Sequence, residues 1–192
     1  MDPQQLILAW LDDSLKVKRE FVTANTSAIA AAGKRVADAI KAGNKVLLFG
    51  NGGSAADASH IAAEFVNRFK LERPAWPAIS LCCDPSTVTS IANDRCYDDL
   101  FSRQIEAFCV PGDIVWGIST SGNSETVIRG LKAGKARGGV TIASLGREGG
   151  KTKGIAEIEF LVAGKETSRI QETHLFLAHA ICELAEQLGA GG

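Results

Sequence analysis

Short apolar runs alternate along this chain with longer segments of mixed character. Val46–Phe49, Ala78–Cys82, Ile114–Ile118, Val140–Leu145 and Ile158–Val162 are apolar or nearly so, and Gly, Pro or Asp residues punctuate the stretches between them. Runs of this length read as strands buried on both faces. The intervening segments Ala55–Phe69, Thr87–Asn93, Tyr97–Phe108, Glu125–Arg137 and Ser168–Leu188 read as helices, the second of them opened by the start signal Asp84-Pro85-Ser86. Ahead of the first strand, Leu6, Leu8, Leu11, Leu15, Val22 and Ile29 recur among polar residues. Asn25-Thr26-Ser27 offers a break and an N-cap, which predicts one helix to about residue 24 and a second over Ser27–Ala42.

Strands alternating with helices predict an α/β fold: a three-layer αβα sandwich around a five-stranded parallel sheet, with extra N-terminal helices. In such sheets ligands bind outside the carboxyl ends of the strands. The N-terminal helical segment carries more apolar surface than one layer needs, which predicts a partner subunit as its cover.

A chain of 192 residues suits one such domain, and its 45% hydrophobic and 22% charged content is that of a globular protein. A net charge of −1 gives no electrostatic ground for nucleic acid or a membrane surface as partner. No apolar run reaches the ~18 residues of a membrane span. Acids stand near the N-terminus where a signal peptide carries bases, so a cytoplasmic location is expected. The cysteines at 82, 83, 96, 109 and 182 are odd in number and lack CxxC spacing, the pattern of idle thiols in a reducing compartment. Only the Gly-rich C-terminal tail is of low complexity.

Two loops at the predicted carboxyl edge concentrate the chemistry. Gly50-Asn51-Gly52-Gly53-Ser54 joins a buried strand to a helix N-terminus, where free N–H groups favour an anion. Ser119-Thr120-Ser121-Gly122-Asn123-Ser124 places four hydroxyls in six residues, enough to ring a phosphate without a lysine; a solvated loop with Ser124 as helix cap has the same composition. Neither is a GxxxxGK[ST] loop, and the glycine spacing is wrong for a dinucleotide fingerprint.

His60 and Glu64, four apart on one helix face, have the spacing of two ligands to one metal, and equally that of a common surface pair. The last helix holds Gln171, Glu172, His174 and His179. His179 lies in an apolar run, which suits either a satisfied core histidine or a placed acid or ligand. Gln171 and His179 are eight positions apart, about 12 Å along a straight helix. Joint action at one ion therefore predicts an irregular helix or two subunits, and the second is the expectation carried forward.

GNGGSAADASHIAAEF, the STSGNS loop, SIANDRCYDDLFSRQ, PGDIVWGIS and RIQETHLFLAHAI, in this order, resemble the sugar isomerase (SIS) domains, which are flavodoxin-like, and more closely the phosphoheptose isomerase family. The resemblance spans nearly the whole chain and is weakest over the first ~25 residues. It implies a single SIS domain over residues 1–192, a homotetramer with active sites at subunit interfaces, and use of the N-terminal helices (about 1–42) in oligomerisation. It implies isomerisation of sedoheptulose 7-phosphate to D-glycero-D-manno-heptose 7-phosphate, the first step of bacterial ADP- or GDP-heptose synthesis. Asn51, Gly52, Gly53, Ser54, Arg68, Asn93 and Asp94 would line the sugar site, and Ser119, Thr120, Ser121 and Ser124 the phosphate site. One zinc per subunit would fall to His60, Glu64, Gln171 and His179. Glu64 and His179 would be the acid/base pair, with Glu64 and Gln171 also touching substrate. One departure is Thr167-Ser168-Arg169, where family members often carry Ala-Asp-Arg; it removes an aspartate from the substrate side of that loop and leaves the catalytic pair unchanged. A second SIS group, non-catalytic proteins that associate with the DnaA replication initiator, shares several phrases with this chain. It has a non-acid and a non-histidine where this chain has Glu64 and His179.

Overall fold

The computed structural model describes residues 2–189; the end of the Gly-rich tail lies outside them. In chain order the elements are α1 (Pro3–Lys41), β1 (Val46–Gly50), α2 (Gly53–Val66), β2 (Ala78–Ser80), α3 (Pro85–Asp94), α4 (Leu100–Phe108), β3 (Ile114–Ser119), α5 (Glu125–Ala136), β4 (Val140–Gly146), β5 (Ile158–Val162) and α6 (Thr167–Gly189). The five strands pair in parallel in the order β2-β1-β3-β4-β5. The predicted αβα sandwich is the observed one.

The apolar strands are continuous because both their faces are covered. All residues of β1, β3 and β4 are buried. Leu48, Trp116, Ile142 and Phe160 face a core shared with α1, α2 and α6, whereas Leu47, Phe49, Val115 and Leu145 face a second core with α4 and α5. The strands run parallel, but from β1 the chain first adds β2 on one side and then β3, β4 and β5 on the other, so the loops after β1 and β3 open at the switch point where α/β sheets bind ligands.

Three expectations need correction. Residues 3–41 form one helix, not two. Asn25 Nδ2 donates to the Phe21 carbonyl and Thr26 Oγ1 to the Val22 carbonyl, each at 2.8 Å. Both side chains thus bond back one turn within a continuing helix instead of capping a new one. The second strand stops at Ser80 and leaves Cys82 beyond it, as befits an edge strand. The segment expected as a helix from Tyr97 begins with a tight 3₁₀ turn over Tyr97–Asp99 before α4.

One face of the first half of α1 stays open while Ser14 and Lys18 on another face bind Glu172 of α6. Ile7, Leu8, Trp10, Leu11 and Leu15 are each more than half exposed. No helix among the described residues is long and apolar enough to cross a membrane.

Candidate active site

The β1–α2 loop turns on Gly52, whose φ of +58° lies in the left-handed region that a side chain disfavours. Gly53 opens α2 and carries no Cβ for a different reason. A Cβ there would stand 2.3 Å from Nε2 of Gln171, so the missing methyl is the space that lets α6 lay its amide against the start of α2.

Further along, the two helices bring three side chains together. His60 Nε2 lies 3.0 Å from His179 Nε2 and 3.5 Å from Glu64 Oε1, and one ligand atom from each of the three falls within 4.8 Å of the others. All three belong to one chain. The expectation that His60 and Glu64 need both Gln171 and His179 from a neighbouring subunit is corrected for His179, which reaches them within one chain. The helix-length argument assumed that His179 and Gln171 share one ion; here His179 joins the cluster while Gln171 lies two turns away, against Gly53.

Two imidazole nitrogens at 3.0 Å require one bare lone pair between them, or two that face a shared cation. Burial lowers the pKa of His179, nearby His60 lowers it further, and Glu64 acts in the opposite direction. The neutral ring, the form that can ligate, is thus favoured. The Phe69 ring stacks on His179 with centroids 5.2 Å apart and planes 20° from parallel. Two imidazoles and a carboxylate are a donor set suited to zinc.

Asp57, one turn before His60, escaped the sequence reading. Its Oδ2 is buried without a hydrogen-bond partner among the described residues, and burial raises its pKa against the pull of His60. The i,i+3 spacing to His60 was the available signal. The two other histidine roles were harder to separate. His174, one of two histidines on α6, is the core one: it is 1% exposed with Nε2 3.1 Å from the Leu145 carbonyl. Glu172 turns away to Ser14, Lys18 and Arg169 and ties α6 to α1.

At the other loop, Ser119 is buried at the end of β3, where its Oγ accepts from the Gly122 N–H and lies 3.5 Å from Ser124 Oγ. Thr120 and Ser121 are half-buried beside it. Ser124 takes the N-cap position of α5 without bonding its side chain to the first-turn amides. That leaves the helix N-terminus as the anion-favouring end the sequence suggested. Asn51 bridges the two loops: its Nδ2 donates to Thr126 Oγ1 at 2.7 Å, and Tyr97 OH donates to its Oδ1 at 3.1 Å. Neither Tyr97 nor Thr126 was singled out from sequence. Ser54 is buried beneath the glycine loop. Asn93 and Asp94 are exposed at the end of α3 and bonded to each other. Arg68 lies past the end of α2 and pairs with exposed Glu72. These last three are not drawn to the cluster by any hydrogen bond among the described residues.

The three-layer parallel sandwich with paired polar loops at its switch point is that of a SIS domain, and the SIS domain model matches residues 9–146. The phosphoheptose isomerase of Aquifex aeolicus is 53% identical over 176 residues, 92% of each chain, and that of Thermodesulfovibrio yellowstonii is 46% identical over 98% of this chain and 94% of its own. Among solved structures, phosphoheptose isomerase GmhA from Neisseria gonorrhoeae superposes with a TM-score of 0.89 at 36% identity, and a phosphoheptose isomerase from Francisella tularensis with 0.93 at 32%, each covering 97% of this chain and 100% of the other. The chain belongs to the phosphoheptose isomerase family of SIS domain proteins.

Proposed function

We propose that this chain is an aldose–ketose isomerase that converts sedoheptulose 7-phosphate to D-glycero-D-manno-heptose 7-phosphate. The convergence of His60, Glu64 and His179 within one chain carries the reading, and the curated relatives, named phosphoheptose isomerases, support it. The DnaA-associating alternative is not favoured, because both residues that separate the two groups sit in the cluster.

The reaction moves a proton between C1 and C2 of the open-chain sugar. Glu64 takes the proton from C1 of the ketose, which leaves an enediolate. His179, in its protonated form for this step, delivers a proton at C2 while the hydroxyl and carbonyl oxygens exchange roles, and the proton taken up by Glu64 passes back to His179 to reset the pair. The serine loop Ser119, Thr120, Ser121 and Ser124 with the α5 N-terminus holds the phosphate. Asn51, locked by Tyr97 and Thr126, with Gly52, Gly53 and Ser54 shapes the sugar end, and Arg68, Asn93 and Asp94 close it. His60, Glu64 and His179 would hold one zinc ion; Gln171 of the same chain lies two turns from them, so a fourth donor of the expected set would be the Gln171 of another copy. Bound there, the ion supplies Lewis-acid polarisation of the oxygens on C1 and C2. A carboxylate held as a ligand is not at the same moment a free base, so Glu64 serves one role at a time.

The exposed apolar face at Ile7, Leu8, Trp10, Leu11 and Leu15 suits burial against other copies in a cytoplasmic homotetramer. Incubation of the purified protein with sedoheptulose 7-phosphate, with added zinc and with a chelator, tests the activity directly. Zinc-dependent formation of the aldose is the expected outcome. Absence of turnover under both conditions, together with tight binding of a protein partner, would move the chain to the non-catalytic group.

Gly53→Ala probes the seat of Gln171. The new methyl meets the far end of a flexible side chain, so it displaces the amide without breaking the fold. Stability is expected to change by no more than ~1 kcal/mol while turnover falls ~10-fold. Wild-type turnover at unchanged KM would show that the position of Gln171 is not used.

A further inference from the structure

Near the end of α6, two turns past His179, stands a buried carboxylate that this chemistry leaves unused. Glu186 Oε1 accepts from the Phe69 N–H at 2.8 Å and from Arg73 Nε at 2.9 Å. Its Oε2 accepts from the Lys70 and Leu71 N–H groups at 2.8 and 3.0 Å. The side chains of both Glu186 and Arg73 are shut off from solvent. Burial acts against the charged carboxylate, but the Lys70, Phe69 and Leu71 amides and Arg73 outweigh it and hold its pKa below the ordinary value.

The rest of the Arg73 fork reaches the end of α2 and the adjoining Pro74 carbonyl. Its Nη2 donates to the Glu64 carbonyl at 2.9 Å and its Nη1 to the Phe65 carbonyl at 3.0 Å and to the Pro74 carbonyl at 3.1 Å. The guanidinium stacks on Trp76, 3.8 Å from the ring centroid. The last carbonyls of a helix lack intrahelical partners, and Arg73 satisfies those that belong to Glu64 and its neighbour. One ion pair therefore joins the backbone of Glu64 to the helix that carries His179. Through the Phe69 N–H, it also anchors the residue whose ring stacks on His179. A buried ion pair is weak evidence of stabilisation, since well-packed apolar groups often do as well. What apolar groups cannot do is supply this set of directed bonds to the segments flanking the reacting groups.

We propose that Arg73 and Glu186 are positioning residues of the site: they set Glu64 against His179 and seat Phe69 as a wall over the imidazole. The roles of Glu64 and His179 rest on the isomerase reading; the clamp geometry does not, and the test separates the two.

The chain has three histidines, so single His→Gln variants assign each ring signal in an NMR spectrum. In Glu186→Gln, which keeps the shape and removes the charge, the His179 ring protons are expected to move toward the position of an unstacked imidazole, with the core signal of His174 unmoved. Turnover of sedoheptulose 7-phosphate is expected to fall ~10–100-fold in kcat with little change in KM. Should Glu186→Gln fail to fold, Arg73→Lys is read in the same way: it keeps a cation beside Glu186 and loses the donors to the Glu64 and Phe65 carbonyls. A folded variant with a lowered melting temperature but wild-type His179 signals and wild-type kcat would overturn the proposal and leave a purely structural ion pair. A wild-type chain without turnover would sink the isomerase reading and leave the His179 result to decide the clamp by itself.

Discussion

Glu64→Gln is expected to abolish isomerisation, a loss of about 10³-fold or more, while the fold survives. The substitution is nearly isosteric, and what anchors this turn of α2 is the Glu64 carbonyl on Arg73, which the variant keeps. A neutral amide cannot take a carbon-bound proton, and it replaces the one anion of the cluster. His179→Ala is expected to be as severe, since on the proposed mechanism it removes the second proton carrier, together with the imidazole 3.0 Å from His60. Product formation by each variant, with circular dichroism to confirm folding, checks both. Retained turnover in either would remove that residue from the reaction. Solvent deuterium appearing at C1 or C2 of the product supports proton transfer over an internal hydride shift.

The second large effect concerns stability and comes from the core histidine. His174 is 1% exposed, its Nε2 bonds the Leu145 carbonyl, and its buried Nδ1 has no partner among the described residues. Burial lowers its pKa to about 4, only partly opposed by the Leu145 bond. The sign follows from proton counts: between the unfolded value near 6.5 and the folded value, the unfolded chain holds the extra proton, so stability falls as pH falls. The contribution lost is about 2 kcal/mol by pH 5 and about 3 kcal/mol by pH 4, with none lost at pH 7.5 and above. Urea unfolding of wild type and His174→Gln across this range checks it. The variant lacks the titrating ring, so its stability should decline less steeply between pH 6.5 and 4. Parallel curves would show that His174 does not charge on unfolding in this window.

The strands were legible because parallel strands covered on both faces must be apolar without interruption. Ile158–Val162 was placed to the residue, and the other four run one or two residues longer or shorter than read. The break in α1 was misread because Asn25 and Thr26 look alike in sequence whether they cap a new helix or bond back to the turn before. The polar loops were legible because a strand-to-helix turn rich in Gly and Ser has few other uses at a sheet edge.

The site itself divides along the same line. Local spacing placed His60 and Glu64 on one face of α2, and periodicity put Gln171, His174 and His179 on one helix. Local spacing alone did not determine which α6 histidine is core and which is free, or that Gly53 leaves room for Gln171. Nor did it show that Glu186 reaches across to the amides after α2. Those outcomes depend on the angle and depth at which α6 crosses α2, and that is set by packing among α1, α2, α6 and the sheet face beneath them. The sequence by itself determined the alternation of elements, the sheet edge and the residue types available there. Only the tertiary structure decided that His179 meets His60 and Glu64 within one chain, because side chains more than a hundred positions apart converge only through packing that no local pattern encodes.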